Sequence, residues 1–222
     1  MKTKRIILLA GKINSGKNFV ADLAEEYYIS EGKTVTQMSF AGPVKDMAAN
    51  AFNNYTVHLN KTIHDTINVL SELRPNVKVD ESVERLRSLV IDSENWYENK
   101  TESSRLLIQT LGTGIMRNEV DPSFWIRKAA IAVHEADAEV IIFTDLRFQN
   151  EHSDLENLLV EMFGFDTNYE IETVQVVRDA DRSNTMIHEH ESENDLEDFQ
   201  FDIIINNEGT KEDTRLLVEA TL

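Results

Sequence analysis

Near its start the sequence contains the run Ile6-Ile7-Leu8-Leu9-Ala10, which continues directly as Gly11-Lys12-Ile13-Asn14-Ser15-Gly16-Lys17. A continuous apolar run of this kind is typical of a strand buried on both faces of a parallel sheet. Beyond the glycine-rich turn, apolar residues recur at helical spacing from Phe19 to Tyr27, and residues 34–40 alternate as a short second strand. Strand, helix and strand in this order predict a right-handed crossover within a parallel sheet.

The turn at residues 11–17 fits the phosphate-binding pattern G-x-x-x-x-G-K in the strand–turn–helix context that the pattern requires. Its glycines would let successive backbone N–H groups point inward at phosphate oxygens, and the helix N-terminus adds partial positive charge. Lys17 would supply a mobile cation for the β- and γ-phosphates. The next residue is usually Ser or Thr, whose hydroxyl binds Mg²⁺, whereas here it is Asn18, whose amide oxygen could hold the metal or one of its waters. The alternative is a glycine-rich turn that matches by chance.

The rest of the chain predicts an α/β fold, with helices on both faces of a central parallel sheet. Further strands are predicted at 140–143, 172–177 and 203–205, with helices at 155–163 and from Lys211 onward. The segment 43–137 predicts helices with polar links, and we interpret it as an insertion that covers one end of the sheet. Its predicted helices are 44–52, 63–73, 83–91, 102–111 and 124–136. One domain is therefore expected over residues 1–222, with its core in 1–42 and 138–222. The acidic stretch 179–202 lacks an apolar period and predicts a mobile surface loop.

The chain of 222 residues carries 22 Lys and Arg against 40 Asp and Glu, a net charge of −18. Such a charge disfavours non-specific binding to nucleic acid or to an anionic membrane, but a few cations can still form a local anion site. The absence of Cys excludes disulfides, thiolate metal sites and a Cys nucleophile. The apolar run at 6–10 is too short for a signal sequence or a membrane span. We expect a soluble cytoplasmic protein.

Two polar residues follow the predicted strand at 140–143. Asp145 would lie at the carboxyl end of that strand, where a phosphate-loop fold holds Mg²⁺ or its waters, or it would cap the next helix. Arg147 would point into the same crevice, or it would form a surface ion pair.

Several other stretches follow one another in an order that a known family shares. They are Ala41-Gly42-Pro43-Val44-Lys45-Asp46, Arg105 through Leu111-Gly112-Thr113 to Arg117, Asp121 to Ile126, Asp145 to Glu151, Ser183-Asn184 with His188, and Asn206 to Thr210. With the loop at 11–17, they make the chain resemble the deoxynucleoside monophosphate kinases of tailed bacteriophages, within the P-loop nucleoside monophosphate kinase superfamily. The resemblance covers roughly residues 1–50 and 104–222.

The resemblance implies a role for each matched residue. The ATP phosphates would be held by Gly11, Asn14, Ser15, Gly16, Lys17 and Asn18, and the adenine would lie against Asn207, Gly209 and Thr210. The monophosphate substrate would meet Phe40, Gly42, Pro43, Lys45, Arg105, Arg117, Trp125, Asp145 and Arg147. Arg178 and Arg182 would be lid arginines, on a lid of about 178–198, that close over the γ-phosphate. The helical insertion would form the monophosphate-binding region.

The expected reaction is transfer of the γ-phosphoryl group of ATP to a deoxynucleoside monophosphate, with Mg²⁺, giving ADP and the diphosphate. The acceptor phosphate is already an anionic nucleophile, so alignment and charge neutralisation suffice and no general base is needed. The enzyme would be a monomer or a homodimer. One alternative is another small-molecule P-loop kinase, such as one for dephospho-coenzyme A. The others are a non-enzymatic nucleotide-dependent switch and an acidic DNA-mimic decoy.

Overall fold

The central feature of the fold is a parallel sheet. The computed structural model describes residues 2–47, 61, 108–178 and 195–222. Within these ranges five strands form one sheet in the order β2-β3-β1-β4-β5, and every neighbouring pair is parallel. The strands are β1 (Lys2–Ala10), β2 (Val35–Met38), β3 (Val140–Phe143), β4 (Thr167–Val177) and β5 (Ile203–Asn206). The five predicted strands are therefore present, and β4 begins five residues earlier than the pattern predicted.

Helices cover both faces of this sheet and give three layers. The α-helices of the described chain that pack on it are α1 (Lys17–Ser30), α2 (Phe124–Glu135), α3 (Gln149–Phe163) and α4 (Lys211–Thr221). Side chains of α1 and α4 share one apolar cluster with the sheet, and side chains of α2 and α3 share the other. The predicted three-layer α/β architecture is confirmed.

The apolar run of β1 is continuous because both faces of the strand are covered. Ile6 and Leu8 belong to the cluster with α2 and α3, whereas Ile7 and Leu9 belong to the cluster with α1. All four side chains are fully buried. Paired with β3 on one edge and β4 on the other, β1 is the central strand of the sheet.

The chain divides into two compact units, residues 1–42 with 120–222 and residues 43–119. The predicted insertion extended to residue 137, so its C-terminal boundary lies earlier than expected. Helix α2 belongs with the sheet because Ile126, Ala130 and Val133 pack in the same cluster as residues of β1 and β3.

The second unit is described over 43–47, 61 and 108–119. Residues 42–47 are helical, and a π-helix runs over Thr110–Val120. The helices predicted at 63–73 and 83–91, and most of those at 44–52 and 102–111, lie outside the described residues.

The end of the acidic stretch is anchored to the domain, which corrects the prediction of a mobile loop for residues 195–202. The Asp195 carboxylate accepts a hydrogen bond from the Gln149 backbone N–H at 2.7 Å, at the start of α3. The Asp202 carboxylate accepts from the Thr173 N–H at 2.9 Å and from its hydroxyl at 2.6 Å. These bonds from Thr173 lower the pKa of Asp202. Residues 179–194 lie outside the described residues.

A buried lysine closes the end of α2. Lys4 is 3% exposed, and its Nζ donates hydrogen bonds to the carbonyl oxygens of Val133, His134 and Ala136 at 2.7, 2.8 and 2.7 Å. The last carbonyls of a helix lack partners within the helix, and a cation there also interacts favourably with the helix dipole. Lys4 therefore links the first strand to the helix that covers it.

We predict that Lys4→Met destabilises the protein by about 2 kcal/mol or more, because carbonyl oxygens that Lys4 serves lose a charged donor inside the protein. Urea unfolding followed by circular dichroism measures the change. Lys33→Met is the matched control, since its 3.0 Å ion pair with Glu139 is exposed and should contribute less than about 1 kcal/mol. Equal losses in the two variants would contradict the role of Lys4.

Candidate active site

The turn between β1 and α1 has the curled backbone that a phosphate-binding loop needs. Gly11, Asn14 and Gly16 all have positive φ, at 152°, 66° and 92°. A Cβ on Gly11 would lie 2.5 Å from the Val176 carbonyl oxygen and 2.6 Å from the Ser15 hydroxyl. Only glycine fits such a position, so the Gly11 in the sequence pattern reflects close packing against β4 as well as curvature.

The N-terminus of α1 is open toward this turn. No side chain caps the helix at Gly16, and no acidic residue occupies its first turn. Lys17 begins the helix and folds back over the turn, where its Nζ donates to the carbonyl oxygens of Gly11 at 2.5 Å and Lys12 at 2.9 Å. The first N–H groups of the helix and a nearby ammonium group thus lie at one end of β1, an arrangement that favours an anion.

Ser15 carries a hydroxyl group that lacks a partner. The residue is 1% exposed, and among the described residues its Oγ is the single buried side-chain N or O atom without a hydrogen bond. A buried polar atom without a partner costs about 1–3 kcal/mol. The turn therefore has an unsatisfied donor on its inner side, next to Gly11.

Asp145 holds together two loops at the carboxyl end of the sheet. Its carboxylate accepts hydrogen bonds from the Ser39 hydroxyl at 2.7 Å, the Phe40 N–H at 2.8 Å and the Ala41 N–H at 2.9 Å. Asp145 is thus not the cap of the next helix, because α3 begins at Gln149. A carboxylate offers about four acceptor sites, so one further donor can still be accommodated.

Arg147 stands on a loop whose backbone is fixed by a buried acid. The Glu151 carboxylate, on a residue 6% exposed, accepts from the Arg147 N–H at 2.7 Å and from the Phe148 N–H at 3.0 Å. Glu151 received no role from the sequence, because α3 begins six residues before the helix predicted at 155–163 and Glu151 lies in its first turn, where an acid is a known start signal. Arg147 itself is exposed.

A cavity of about 110 Å³ brings these parts together. Its walls include Gly11, Lys17, Asp145, Arg147, Leu196 and Phe201. The cavity lies at the carboxyl ends of β1 and its neighbours, where the strand order changes direction. Ligands of open parallel sheets bind at such points.

A larger cavity of about 620 Å³ lies at the opposite end of the sheet, near the amino ends of β1 and β3. It is lined by Arg5, Tyr28, Lys33 and Glu139 among others. Arg5 pairs with Glu172 at 2.6 Å, and Lys33 pairs with Glu139 at 3.0 Å. Burial raises the pKa of Tyr28 to about 12, so its phenol is neutral at physiological pH. Arg5 and Lys33, two cations of this cavity, are therefore each paired with an acidic side chain.

Two aromatic residues expected at the substrate are part of the packed interior. Phe40 is 3% exposed, and its ring stacks on Phe143 with 4.4 Å between the centroids. Trp125 is 8% exposed and meets Phe124 edge-on at 4.8 Å. The Phe40 ring is therefore a core contact rather than a pocket wall, and Trp125 presents little surface to a ligand.

The segment expected against the adenine also has structural contacts. The Asn207 amide group is buried and donates to the Ser15 carbonyl oxygen at 2.9 Å. The Thr210 hydroxyl caps α4, accepting from the Asp213 N–H at 3.2 Å and donating to the Asp213 carboxylate at 2.7 Å. These hydrogen bonds from Thr210 lower the pKa of Asp213. A Cβ on Gly209 would lie 2.8 Å from that carboxylate, so a tight turn leads into α4.

The remaining predicted residues are distributed over the chain as follows. Asn18 is exposed in the first turn of α1, Gly42 donates its N–H to the Ser39 carbonyl oxygen at 3.1 Å, and Arg178 is exposed directly after β4. Pro43, Lys45 and Arg117 belong to the second unit, residues 43–119. Arg105 and Arg182 lie outside the described residues. In the described ranges, no three His, Asp or Glu residues form a group that could hold a metal ion.

Comparison with known families decides the class of the protein. The sequence model of deoxynucleotide monophosphate kinases matches residues 64–216, more than half of the chain. The chain belongs to the deoxynucleotide monophosphate kinase family. It is accordingly a phosphotransferase with a nucleotide as acceptor, in agreement with the expectation from sequence. The match begins after the turn at 11–17, so the phosphate-loop pattern is a separate observation.

Comparison with solved structures yields a distant likeness. A point mutant of the Mycobacterium tuberculosis APS kinase CysC is similar at a TM-score of 0.41 and 10% sequence identity. The likeness covers 98% of this chain and 96% of that one. A comparison with curated proteins found no match. Within the described ranges, no helix combines the length and apolar character needed to cross a membrane.

We predict that Asp145→Asn lowers stability by about 1–3 kcal/mol, because one amide oxygen cannot accept all three hydrogen bonds. Urea unfolding measures the loss. Asp22→Asn is the control, since that exposed carboxylate accepts a hydrogen bond from the Gln37 side chain at 3.0 Å, and the loss of stability should be small. Unchanged stability in Asp145→Asn would show that the carboxylate does not hold these loops.

Proposed function

We propose that the protein transfers the γ-phosphoryl group of ATP to a deoxynucleoside 5′-monophosphate, giving ADP and the deoxynucleoside diphosphate. The observation that carries this proposal is the shared cavity, which has the phosphate-loop residues Gly11 and Lys17 in one wall and Asp145 and Arg147 in another. Family membership supplies the acceptor class, and the loop supplies the donor site.

On the donor side, we propose that residues 11–17 hold the ATP phosphates. The uncapped N-terminus of α1 supports this assignment, as does the unpaired Ser15 hydroxyl inside the turn. Lys17 would exchange its two backbone carbonyls for phosphate oxygens at modest cost, because both sets of partners are hydrogen-bond acceptors. Its positive charge would then follow the migrating phosphoryl group.

On the acceptor side, we propose that Arg147 binds the phosphate of the deoxynucleotide. A guanidinium group can form two parallel hydrogen bonds with a phosphate, and the buried Glu151 fixes the backbone that carries it. The acceptor is an anion, so the reaction needs alignment and charge neutralisation rather than proton removal. The resemblance adds Gly42, Pro43, Lys45, Arg105 and Arg117 as further acceptor contacts.

We propose that Mg²⁺ accompanies ATP, held by Asp145 and Asn18 through water. The donor set fits this weakly bound role, because Asp145 lines the cavity and has one acceptor site remaining, while Asn18 is exposed next to Lys17. Mg²⁺ commonly keeps several waters and is bound through one or two carboxylates together with substrate phosphates. When bound, it would neutralise part of the charge on the β- and γ-phosphates.

Further expectations belong to the same proposal. Arg178 and Arg182 would close a lid over the γ-phosphate, and backbone of residues 207–210 would border the adenine. The enzyme would act in the cytoplasm, the host cytoplasm if a phage encodes it, as a monomer or a homodimer. The acidic charge of −18 disfavours nucleic acid as a partner.

The decisive experiment is an ADP-release assay with ATP, Mg²⁺ and one acceptor at a time: each deoxy- and ribonucleoside monophosphate, and dephospho-coenzyme A. We expect ADP release that depends on a deoxynucleoside monophosphate. Turnover with dephospho-coenzyme A alone would indicate the other small-molecule kinase. Binding of ATP with no ADP release for any acceptor would indicate a nucleotide-dependent switch. Absence of ATP binding would favour the remaining alternative, an acidic DNA-mimic decoy.

We predict that Lys17→Ala lowers kcat by about 100-fold or more, the scale of losing one preorganised charge contact to a transition state. The Lys17 ammonium group donates to a half-buried and an exposed loop carbonyl, so we expect the variant to fold. Steady-state kinetics with circular dichroism measures both. Lys33→Ala is the control and should keep wild-type kcat, because Lys33 lies near the amino ends of the strands, at the opposite end of the sheet. Activity of folded Lys17→Ala within a few-fold of wild type would refute the donor site.

We predict that Arg147→Lys raises the KM for the deoxynucleotide by roughly tenfold or more while the KM for ATP changes little. An ammonium group cannot reproduce the bidentate contact, and a hydrogen bond to a charged group contributes about 1.5–3 kcal/mol. Arg127→Lys is the control, because Arg127 of α2 forms an exposed 3.2 Å ion pair with Asp121, which precedes that helix. Identical KM values in wild type and Arg147→Lys would remove Arg147 from the acceptor site.

A further inference from the structure

Asn207 lies directly after β5, and its side chain contacts the backbone of the phosphate loop, residues 11–17. Its backbone N–H donates to the Val177 carbonyl oxygen at 2.8 Å, which continues the pairing of β4 and β5. Its side-chain amide donates to the Ser15 carbonyl oxygen at 2.9 Å, and the residue is 8% exposed. The last strand of the sheet is therefore hydrogen-bonded to the middle of the phosphate loop.

The orientation of this amide is fixed by its surroundings. The Ser15 carbonyl can only accept, so the group that faces it must be the NH₂ of Asn207. On the other side the Asn207 Oδ1 accepts from the Thr214 hydroxyl at 2.9 Å, and Thr214 is 1% exposed in α4. That hydroxyl also lies 3.3 Å from the Thr210 carbonyl oxygen, a longer contact. The Thr214 hydroxyl thus holds the Asn207 amide in this orientation.

The bond to Ser15 determines how the loop presents its next N–H group. The Ser15–Gly16 peptide is planar and trans, since the described chain contains no cis peptide bond. In a trans peptide the C=O and N–H bonds point in opposite directions, so a carbonyl held toward Asn207 turns the Gly16 N–H away from it, toward the loop interior. The Asn207 amide also contacts the α-carbon side of Gly16, where an added Cβ would overlap its Nδ2.

We propose that Asn207 is a positioning residue that orients the Ser15–Gly16 peptide for binding the ATP phosphates, with Thr214 holding its amide. This inference rests on the proposed function, because the phosphates are the ligand that the oriented N–H would meet. This positioning role replaces the expected contact of the Asn207 side chain with the adenine. Both the Nδ2 and the Oδ1 of the amide are already hydrogen-bonded inside the protein. Donors aimed in advance bind a developing charge without reorganisation at the moment of reaction.

The test compares Asn207→Asp with Asn206→Asp. Asn207→Asp keeps the side-chain volume and the acceptor for Thr214 but removes the donor to Ser15, whereas Asn206 is exposed and its variant makes the same change of charge one residue away. Binding of ATP is measured by calorimetry, KM values for both substrates by steady-state kinetics, and folding by circular dichroism. We expect Asn207→Asp to weaken ATP binding at least tenfold and to raise the KM for ATP, with the KM for the deoxynucleotide within twofold of wild type. Asn206→Asp should match wild type.

A second pair of variants decides the matter if Asn207→Asp does not fold. Thr214→Val removes the hydroxyl that holds the amide, and Thr214→Ser retains it. We expect a KM for ATP several-fold higher in Thr214→Val than in Thr214→Ser. Equal ATP affinity and equal KM values in each matched pair would overturn the positioning role, as would parallel rises in both KM values. Wild-type protein that binds no ATP would instead refute the proposed donor site itself, which separates the two failures.

Discussion

The enclosure of β1 is the constraint on which the rest of the structure depends. The strand is paired on both edges and covered on both faces, so its carboxyl end has one position relative to β3 and β4. The phosphate loop starts at that end and packs Gly11 against the Val176 carbonyl of β4. The loop after β3 carries Asp145 and Arg147 to the same place. The turn at 11–17, Asp145 and Arg147 are therefore positioned by one sheet.

Around this sheet, buried or partly buried polar side chains fix the backbones of loops. Asn207 holds the Ser15 carbonyl, Asp145 holds the N–H groups of two residues after β2, and Glu151 holds the Arg147 N–H. Each bond orders a loop that would otherwise keep its conformational freedom, which costs roughly 1–2 kcal/mol per residue to remove. Part of this cost is thereby met in folding, before any ligand binds.

The acidic excess of the chain also has a structural component. Asp195 binds the start of α3, Asp202 binds Thr173 of β4, and Asp213 completes the cap of α4. Hydrogen bonds from threonine lower the pKa of both Asp202 and Asp213. These two carboxylates stabilise the fold while ionised, and this contribution is lost as the pH falls through their lowered pKa values. Part of the acidic excess behind the net charge of −18 is thus used within the fold.

The sequence by itself determined the parallel sheet, the phosphate loop and the order of elements, because unbroken apolar runs and a glycine pattern are local signals. It also indicated that Asp145 and Arg147 lie near the loop, since both follow a buried strand. Only the tertiary structure decided that Phe40 is buried against Phe143, that α2 belongs to the sheet, and that Asn207 supports the loop. Those contacts join residues far apart in the chain, up to 192 positions for Asn207 and Ser15. Residue type alone cannot distinguish an amide that meets a ligand from one that holds a distant backbone carbonyl, because both need the same donor.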